Sequence, residues 1–450
     1  MARGTGIPRR TGALLAATGV AASVALAGCG ASPVTGATAE LSPDAVSAAL
    51  QEGGHLLVWA WEPTLDQVVE SFEAEYPNVD VELANVGTGN DHYVVLQNAI
   101  SAGSGVPDVA QVEYYALPQF SIAGSLADLA PLGASKLDGT YSPGTWGSVT
   151  DGDAVYGLPM DSGPMALFYN ARTFEAAGAE VPATWDEFVE AARKIHAHDS
   201  DAHLIADDGN AGFATSMVWQ AGGTPFTVDG TTVSVDLADE GSARFAGMWQ
   251  QLLDEDLVAK VPEWSDEWFQ RLGDGSIAAL VTGAWMPANL ESGAPAAAGD
   301  WRVAPMPQWT AGATATAENG GSALSITEAS TQKALAYGFL QYANAGDGVQ
   351  VRLDHGNFPA TTADLTSPEF LGKEPEYFGG QKINEVLSAS ATGVVPGWQY
   401  LPYQVYANSV FPDTVGQAYT GSTPLADGLA DWQDSIVKYG NAQGFTVSGP

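Results

Sequence analysis

What most constrains this chain is a repeated switch of hydrophobic period that begins at His55. "HLLVWAW" (55–61) is an apolar run of strand length. "PTLDQVVESFEAEYP" (63–77) opens on Pro63 and Thr64, sets Leu65, Val68, Val69 and Phe72 at helical spacing, and stops before Pro77. "NVDVELANV" (78–86) alternates as a strand, and "NDHYVVLQNAISAGSG" (90–105) reads as a helix with a glycine stop. "PDVAQVE" (107–113) is a third strand, followed by a helical "YYALPQFSIAGSLADL" (114–129). Strands separated by helices return in parallel, and a parallel sheet is covered on both faces. The expectation is an α/β fold with mostly parallel sheets.

The pattern continues downstream. "AVYGLPMDSGPMALFYN" (154–170) holds two short strands broken by Gly and Pro and reads as a crossover between lobes. "ATWDEFVEAARKIHAH" (183–198) carries a Thr184/Glu187 capping box and a stripe of Phe188, Ala191, Ala192 and Ile195. "FTVDGTTVSV" is a hairpin about Asp229-Gly230. Helical segments at 243–258 and 332–346, strands in "GSIAALVTGAW" and "WRVAPMP", and a mainly helical C-terminal third complete the chain, with no fixed-period repeat.

The first 53 residues read differently. Arg3, Arg9 and Arg10 precede the uncharged, Ala- and Leu-rich stretch 11–28, the layout of a secretory signal. Cys29, the only cysteine of the chain, follows at once. Leu26-Ala27-Gly28-Cys29 resembles the lipobox of bacterial lipoproteins, which implies cleavage after residue 28, lipidation of Cys29 and attachment to the outer face of the cell membrane. Residues 29–53 are small and Pro-, Gly- and Thr-containing, and are read as a flexible linker. The remaining chain is long enough for two or three packing units and has no disulfide to brace it.

Charge removes several function classes. The chain holds 16 Lys and Arg against 53 Asp and Glu, a net charge of −37, and removing the three arginines of the leader takes it to −40. Nucleic acid is excluded as a partner, because its phosphates need basic patches, and phosphorylated solutes are disfavoured. Catalytic signatures are missing. His196 and His198 point apart on a helix, no H-E-x-x-H or cysteine pair offers a metal site, and no G-x-S-x-G occurs. The glycines at 87 and 89 and at 320–321 read as turns. No cofactor or metal is expected. Carboxylates are too numerous for counting to dismiss a glycosidase pair.

Aromatic residues are more informative. Trp59 and Trp61 end the first strand, Tyr114 and Tyr115 the third; Trp285 follows "AALVTGA", and Trp398 and Tyr400 share a Pro/Gly loop. Ligands of open parallel sheets bind beyond the carboxyl ends of strands, and sugar rings offer an apolar face to an indole or phenol. Any one of these rings could instead seal a core.

In order along residues 54–440, the pieces "LLVWAW", "SGVPDVAQVEYYALPQFSIAGSLADL", "YGLPMDSGPMALFYN", "TWDEF", "WQAGGTPF", "GSIAALVTGAW", "WRVAPMP", "NGGSALSI" and "GNFPA" resemble the extracellular solute-binding proteins of bacterial carbohydrate ABC importers, the group similar to maltose-binding protein. The resemblance implies a type II periplasmic-binding-protein-like fold, α/β, with two lobes and a ligand cleft between them. It places chain crossings near 161–164, 306–308 and 356–358, so that 54–162 with 308–356 form one lobe and 164–307 with 357–450 the other. It implies a non-enzymatic, monomeric carrier of a mono- or oligosaccharide that docks on ABC permease subunits. Matched position by position, the ligand-facing residues are Trp61, Glu62, Glu113, Tyr114, Tyr115, Asp161, Trp219, Trp285, Gly321, Ser322, Asn357, Trp398 and Tyr400. Glu62-Pro63 stands where maltose-binding protein has a lysine, which speaks against maltose. A glycan hydrolase and a polyol carrier are the alternative readings.

Overall fold

The computed structural model describes residues 42–421 and 423–449; the leader, Cys29 and residues 29–41 of the expected linker lie outside them. The strands that form the two main sheets are β1 (Gly54–Trp59), β2 (Val79–Ala84), β3 (Val109–Glu113), β4 (Leu158–Pro159), β5 (Met165–Asn170), β6 (Ile205–Ala206), β7 (Val258–Ala259), β8 (Ala279–Gly283), β9 (Trp301–Ala304) and β10 (Ser322–Ile326).

The first sheet has the order β2-β1-β3-β10-β4. β1 runs parallel to β2 and β3, while β10 runs antiparallel to both of its neighbours. In the second lobe β6 and β7 are parallel, and β5 lies antiparallel between β8 and β9. Backbone bonds from His203 N to Ser276 O (2.9 Å) and from Ala279 N to Leu204 O (2.6 Å) join β6 to the start of β8. Each sheet is therefore mostly parallel with one reversed strand. The reversed strands, β5 and β10, are those the chain enters directly from the other lobe. No helical crossover brings them round, so nothing forces them parallel.

The cores follow from side-chain alternation. Met165 and Leu167 of β5 and Ala279 and Val281 of β8 point into one core, while Ala166, Phe168 and Leu280 point into the core on the opposite face. The first sheet buries Leu56, Val58, Val81, Val109 and Val112 under Phe72, Leu96 and Phe339. The helix Trp185–His198 carries the expected capping box in full, with Phe188, Ala191, Ala192 and Ile195 buried. Such a cap contributes about 1 kcal/mol.

Two expectations need correction. Residues 43–52, read as linker, form a helix (Pro43–Glu52): Ser42 caps it by accepting from Ala45 N, Pro43 occupies the first turn, and Val46 is buried. It packs on the helix Lys333–Ala345, where Gly338 makes room for Leu50; a Cβ there would lie 2.8 Å from the leucine. The second crossing also comes later than 306–308. Gln308 bridges to Thr184, Thr316 bridges to Val394, and Ala317 is buried in the second-lobe core. The Gln308 side chain bonds Met306 O, Ala315 O and Ala315 N, folding 308–315 back onto that lobe. The chain crosses at 318–322. Residues 347–361 straddle both lobes: Val349, Leu353 and Phe358 belong to a second-lobe core, Ala360 to the first.

Candidate functional site

A cleft of about 930 Å³ opens where the strands end. Residues after β1, β3, β6, β7 and β8 line it, the position favoured by open parallel sheets.

Gln111, 2 % exposed in β3, organises its first-lobe wall. Its Oε1 accepts from the backbone N–H groups of Trp61 (2.9 Å) and Glu62 (3.0 Å), and its Nε2 donates to Ser322 Oγ (3.1 Å). Trp61 packs edge-on against His92 at 4.9 Å. Burial pulls the pKa of His92 down to about 4, outweighing a backbone hydrogen bond at Gln111 that raises it, so the ring is neutral and serves as packing. The Glu62 carboxylate accepts from Thr64 N (3.1 Å), Thr64 Oγ1 and Asn357 Nδ2 (3.0 Å), tying the loop after β1 to the third crossing.

Two carboxylates clasp the first and second crossings reciprocally. Asp161 Oδ1 accepts from Ser322 N (2.6 Å) and Ser322 Oγ (3.2 Å), while Glu318 accepts from Gly163 N (2.7 Å) and Ser162 Oγ (3.2 Å). Burial raises Asp161 to about 6, opposed by the Ser322 bonds and Arg352, and raises Glu318 to about 7, opposed by its own donors. Glu113 is also raised to about 7 by burial, with the Tyr115 and Tyr93 hydroxyls pulling the other way.

On the second-lobe wall, Trp285 donates Nε1–H to Asn319 O at 2.7 Å and stacks on Trp264 at 5.7 Å. A Cβ at Gly283 or Gly320 would come within 2.4 or 2.9 Å of that nitrogen, so both positions must be glycine.

Trp61, Glu62, Glu113, Tyr115, Asp161, Trp285, Gly321, Ser322, Asn357 and Tyr400 all line the cleft. Tyr114, Trp219 and Trp398 do not. Tyr114 is buried and donates its hydroxyl to Asp161 O (2.7 Å), serving the hinge. Trp219 and Trp398 stack on each other at 5.1 Å and 8°, and Trp219 donates to Val395 O (2.6 Å); the pair belongs to the second-lobe core. Sequence reasoning missed Asn90, Gln111, Asp208, Glu263, Trp264 and Asn319, which all line the cleft. Burial, with Asp207 and Asp208 nearby, raises Glu263 to about 8. None of these six carries a local signal beyond an ordinary polar or turn residue.

The acidic lining consists of Glu62, Glu113, Asp161, Asp208 and Glu263, beside the phenols of Tyr115 and Tyr400; among the described residues no Lys, Arg or His side chain lines the cleft. Such walls accept hydrogen bonds from hydroxyls, stack on apolar ring faces and repel anions. Among the described residues no group of three or more His, Cys, Asp or Glu is placed to hold a metal ion.

The profile of the bacterial extracellular solute-binding proteins matches residues 60–350. A binding protein associated with an ABC transporter of B. animalis subsp. lactis Bl-04, solved with beta-1,6-galactobiose, is 46% identical; the match covers 88% of this chain and 99% of that one, with a TM-score of 0.84. The galacto-N-biose-/lacto-N-biose I-binding protein of Bifidobacterium longum, solved with lacto-N-biose, is 26% identical with a TM-score of 0.75, covering 88% and 99%. The lactose-binding protein of Rhizobium radiobacter is 26% identical over 347 residues, 73% of this chain and 80% of that protein.

Proposed function

The chain belongs to the bacterial extracellular solute-binding protein family, and from that premise we propose that it captures a neutral disaccharide or short oligosaccharide ending in a β-linked galactose. It is the sugar-binding component of an ABC importer. The observation that carries the ligand reading is a cleft lined by indoles, phenols and carboxyl groups, with no Lys, Arg or His side chain in its described lining. Hydroxyls donate to such carboxylates, C–H faces pack on Trp61, Tyr115 and Trp285, and a uronate, sulfate or phosphate finds no cationic side chain in the described lining. A volume of about 930 Å³ lies in the range of small-ligand sites, about 300–1,000 Å³. The sugars named for the three relatives, lactose, beta-1,6-galactobiose and lacto-N-biose, each carry a β-galactosyl end.

The cleft residues act as hydrogen-bonding and stacking groups and not as catalysts. Asp161 and Glu318 are already engaged by Ser322 and Gly163, which suits a clasp better than a general acid. The lobes close over the sugar, and the closed form is presented to the permease. We place the chain on the outer face of the cell membrane, tethered through lipidated Cys29. Membrane fractionation of Cys29→Ser checks the tether: the variant should become soluble with unchanged sugar affinity, and a membrane-bound variant defeats the idea.

A thermal-shift panel tests the ligand. A ligand that binds only the native state raises stability by RT ln(1 + [L]/Kd). Lactose and beta-1,6-galactobiose should raise the melting temperature, and their sialylated or uronic counterparts should not. A response to acidic sugars alone would overturn the reading.

A further inference from the structure

One bend in the cleft wall runs against the usual chemistry of turns. After β7, Ser265 N–H closes a turn on Pro262 O (3.4 Å), and the third residue of that turn, Trp264, has φ 65°. A positive φ at this position is ordinarily filled by Gly or Asn, since a Cβ crowds the backbone there. Here a tryptophan fills it, and its side chain is 48% exposed.

Core packing accounts for only part of the choice. Trp268, 2% exposed, already supplies the buried indole here; Trp264 leans on it at 5.4 Å and 41° and on Phe269 at 6.1 Å and 68°, yet stays half-exposed. The bend does not serve the next helix either. Ser265 caps Asp266–Asp274 through Trp268 N (3.2 Å), a bond that glycine at 264 would leave intact. What the conformation does achieve is to hold a half-exposed indole stacked beside Trp285, at 5.7 Å and 29°, with both rings lining the cleft. Strain kept at a ligand-facing residue marks a position retained for function.

We infer that Trp264 is an outer sugar platform that sets ligand length. Trp285 holds one ring, Trp264 packs on its neighbour, and the pair favours ligands of at least two residues. The inference rests on the cleft being the sugar site. The groups around the corner, Glu263 with its Asn210 partner (3.3 Å) and Asn289, supply polar contacts for the same outer ring.

Calorimetric titration of the wild type, Trp264→Gly and Trp264→Phe with two neutral sugars differing by one residue, galactose and beta-1,6-galactobiose, tests this. Trp264→Gly should weaken the disaccharide by about tenfold or more, and the monosaccharide by less than about threefold. Trp264→Phe should recover most of the loss. Glycine relaxes the turn but gives up the indole's contacts with Trp268, Phe269 and Trp285, so ligand-free Trp264→Gly should melt within a few degrees of the wild type. Equal losses on both sugars, unchanged disaccharide affinity, or a large drop in ligand-free melting temperature would each overturn the inference. If the wild type binds only a non-galactosyl pair, the galactoside reading fails and the same ratio is read with that pair. A wild type that binds no sugar overturns both.

Discussion

Trp285 is held by its own polar atom on one side and by missing side chains on the other. Its Nε1–H bonds Asn319 O, and Gly283 and Gly320 leave the space its ring edge occupies. The ring is only half-buried. Trp285→Ala should therefore weaken sugar binding by about 1–3 kcal/mol, tenfold to a hundredfold in Kd, with a modest change in melting temperature. Trp249→Ala is the internal comparison: Trp249 is 0% exposed and donates to Asp207 Oδ2 at 2.9 Å, so its loss should cost about 3–5 kcal/mol of stability. If Trp285→Ala behaves like Trp249→Ala in the melt, Trp285 belongs to the core. At this scale the sequence distinguished strand-end aromatics from others but not ligand platforms from core rings. Trp219 and Trp398 look like Trp285 in the sequence, yet they choose each other, a choice made by residues 179 positions apart. Trp264 ends no strand and sits where a turn calls for glycine, so no local rule points to it.

Elements were legible wherever one face is buried. Apolar runs of strand length gave β1 and β3, alternation gave β2, period 3.6 gave the helix between β1 and β2, the Thr184/Glu187 box marked a helix start to the residue, and Asp229-Gly230 marked a hairpin whose Gly230 has φ 58°. Two things were not legible. The helix Pro43–Glu52 carries a Ser-Pro start signal, but its narrow stripe of Val46, Ala49 and Leu50 resembles a linker until the helix it packs on is known. Resemblance alone places the second crossing at 306–308; the chain stays in the second lobe because Gln308 satisfies three backbone groups at once. The hinge clasp joins residues 155 and 161 positions apart, Gly163 to Glu318 and Asp161 to Ser322. Spacing rules have no reach over that distance, so Glu318 went unnoticed while Asp161 was found through its place in a crossover motif.

The whole molecule carries a net charge of −37, and five of its carboxylates, Glu113, Asp161, Asp207, Glu263 and Glu318, are pushed by burial to about 7, 6, 6, 8 and 7. Each pKa lies above its unfolded value near 4, so the native state holds the extra protons. The stability these groups contribute is complete below about pH 4 and is lost as pH rises through 6 to 8. Ligand-free protein should therefore melt at a higher temperature at pH 5 than at pH 8. Repulsion among surface carboxylates has the same sign, but salt screens it over a Debye length of about 10 Å at 0.1 M, so the part that survives high salt belongs to the buried groups. Sugar binding should show the opposite sign. Hydroxyls that donate to Glu113 and Asp161 bind the ionised forms, so affinity should rise between pH 5 and 8, and the melting-temperature increment given by ligand should grow. Two variants separate the effects. Glu113→Gln removes a cleft carboxylate and should flatten the pH dependence of affinity. Glu318 does not line the cleft but holds Gly163 N–H, so Glu318→Gln should flatten the ligand-free stability slope and leave the pH dependence of affinity in place. Measured with one galactoside across this range, an affinity that falls with pH would show that the ligand meets protonated carboxyls, and the cleft would have to be read as a donor surface instead.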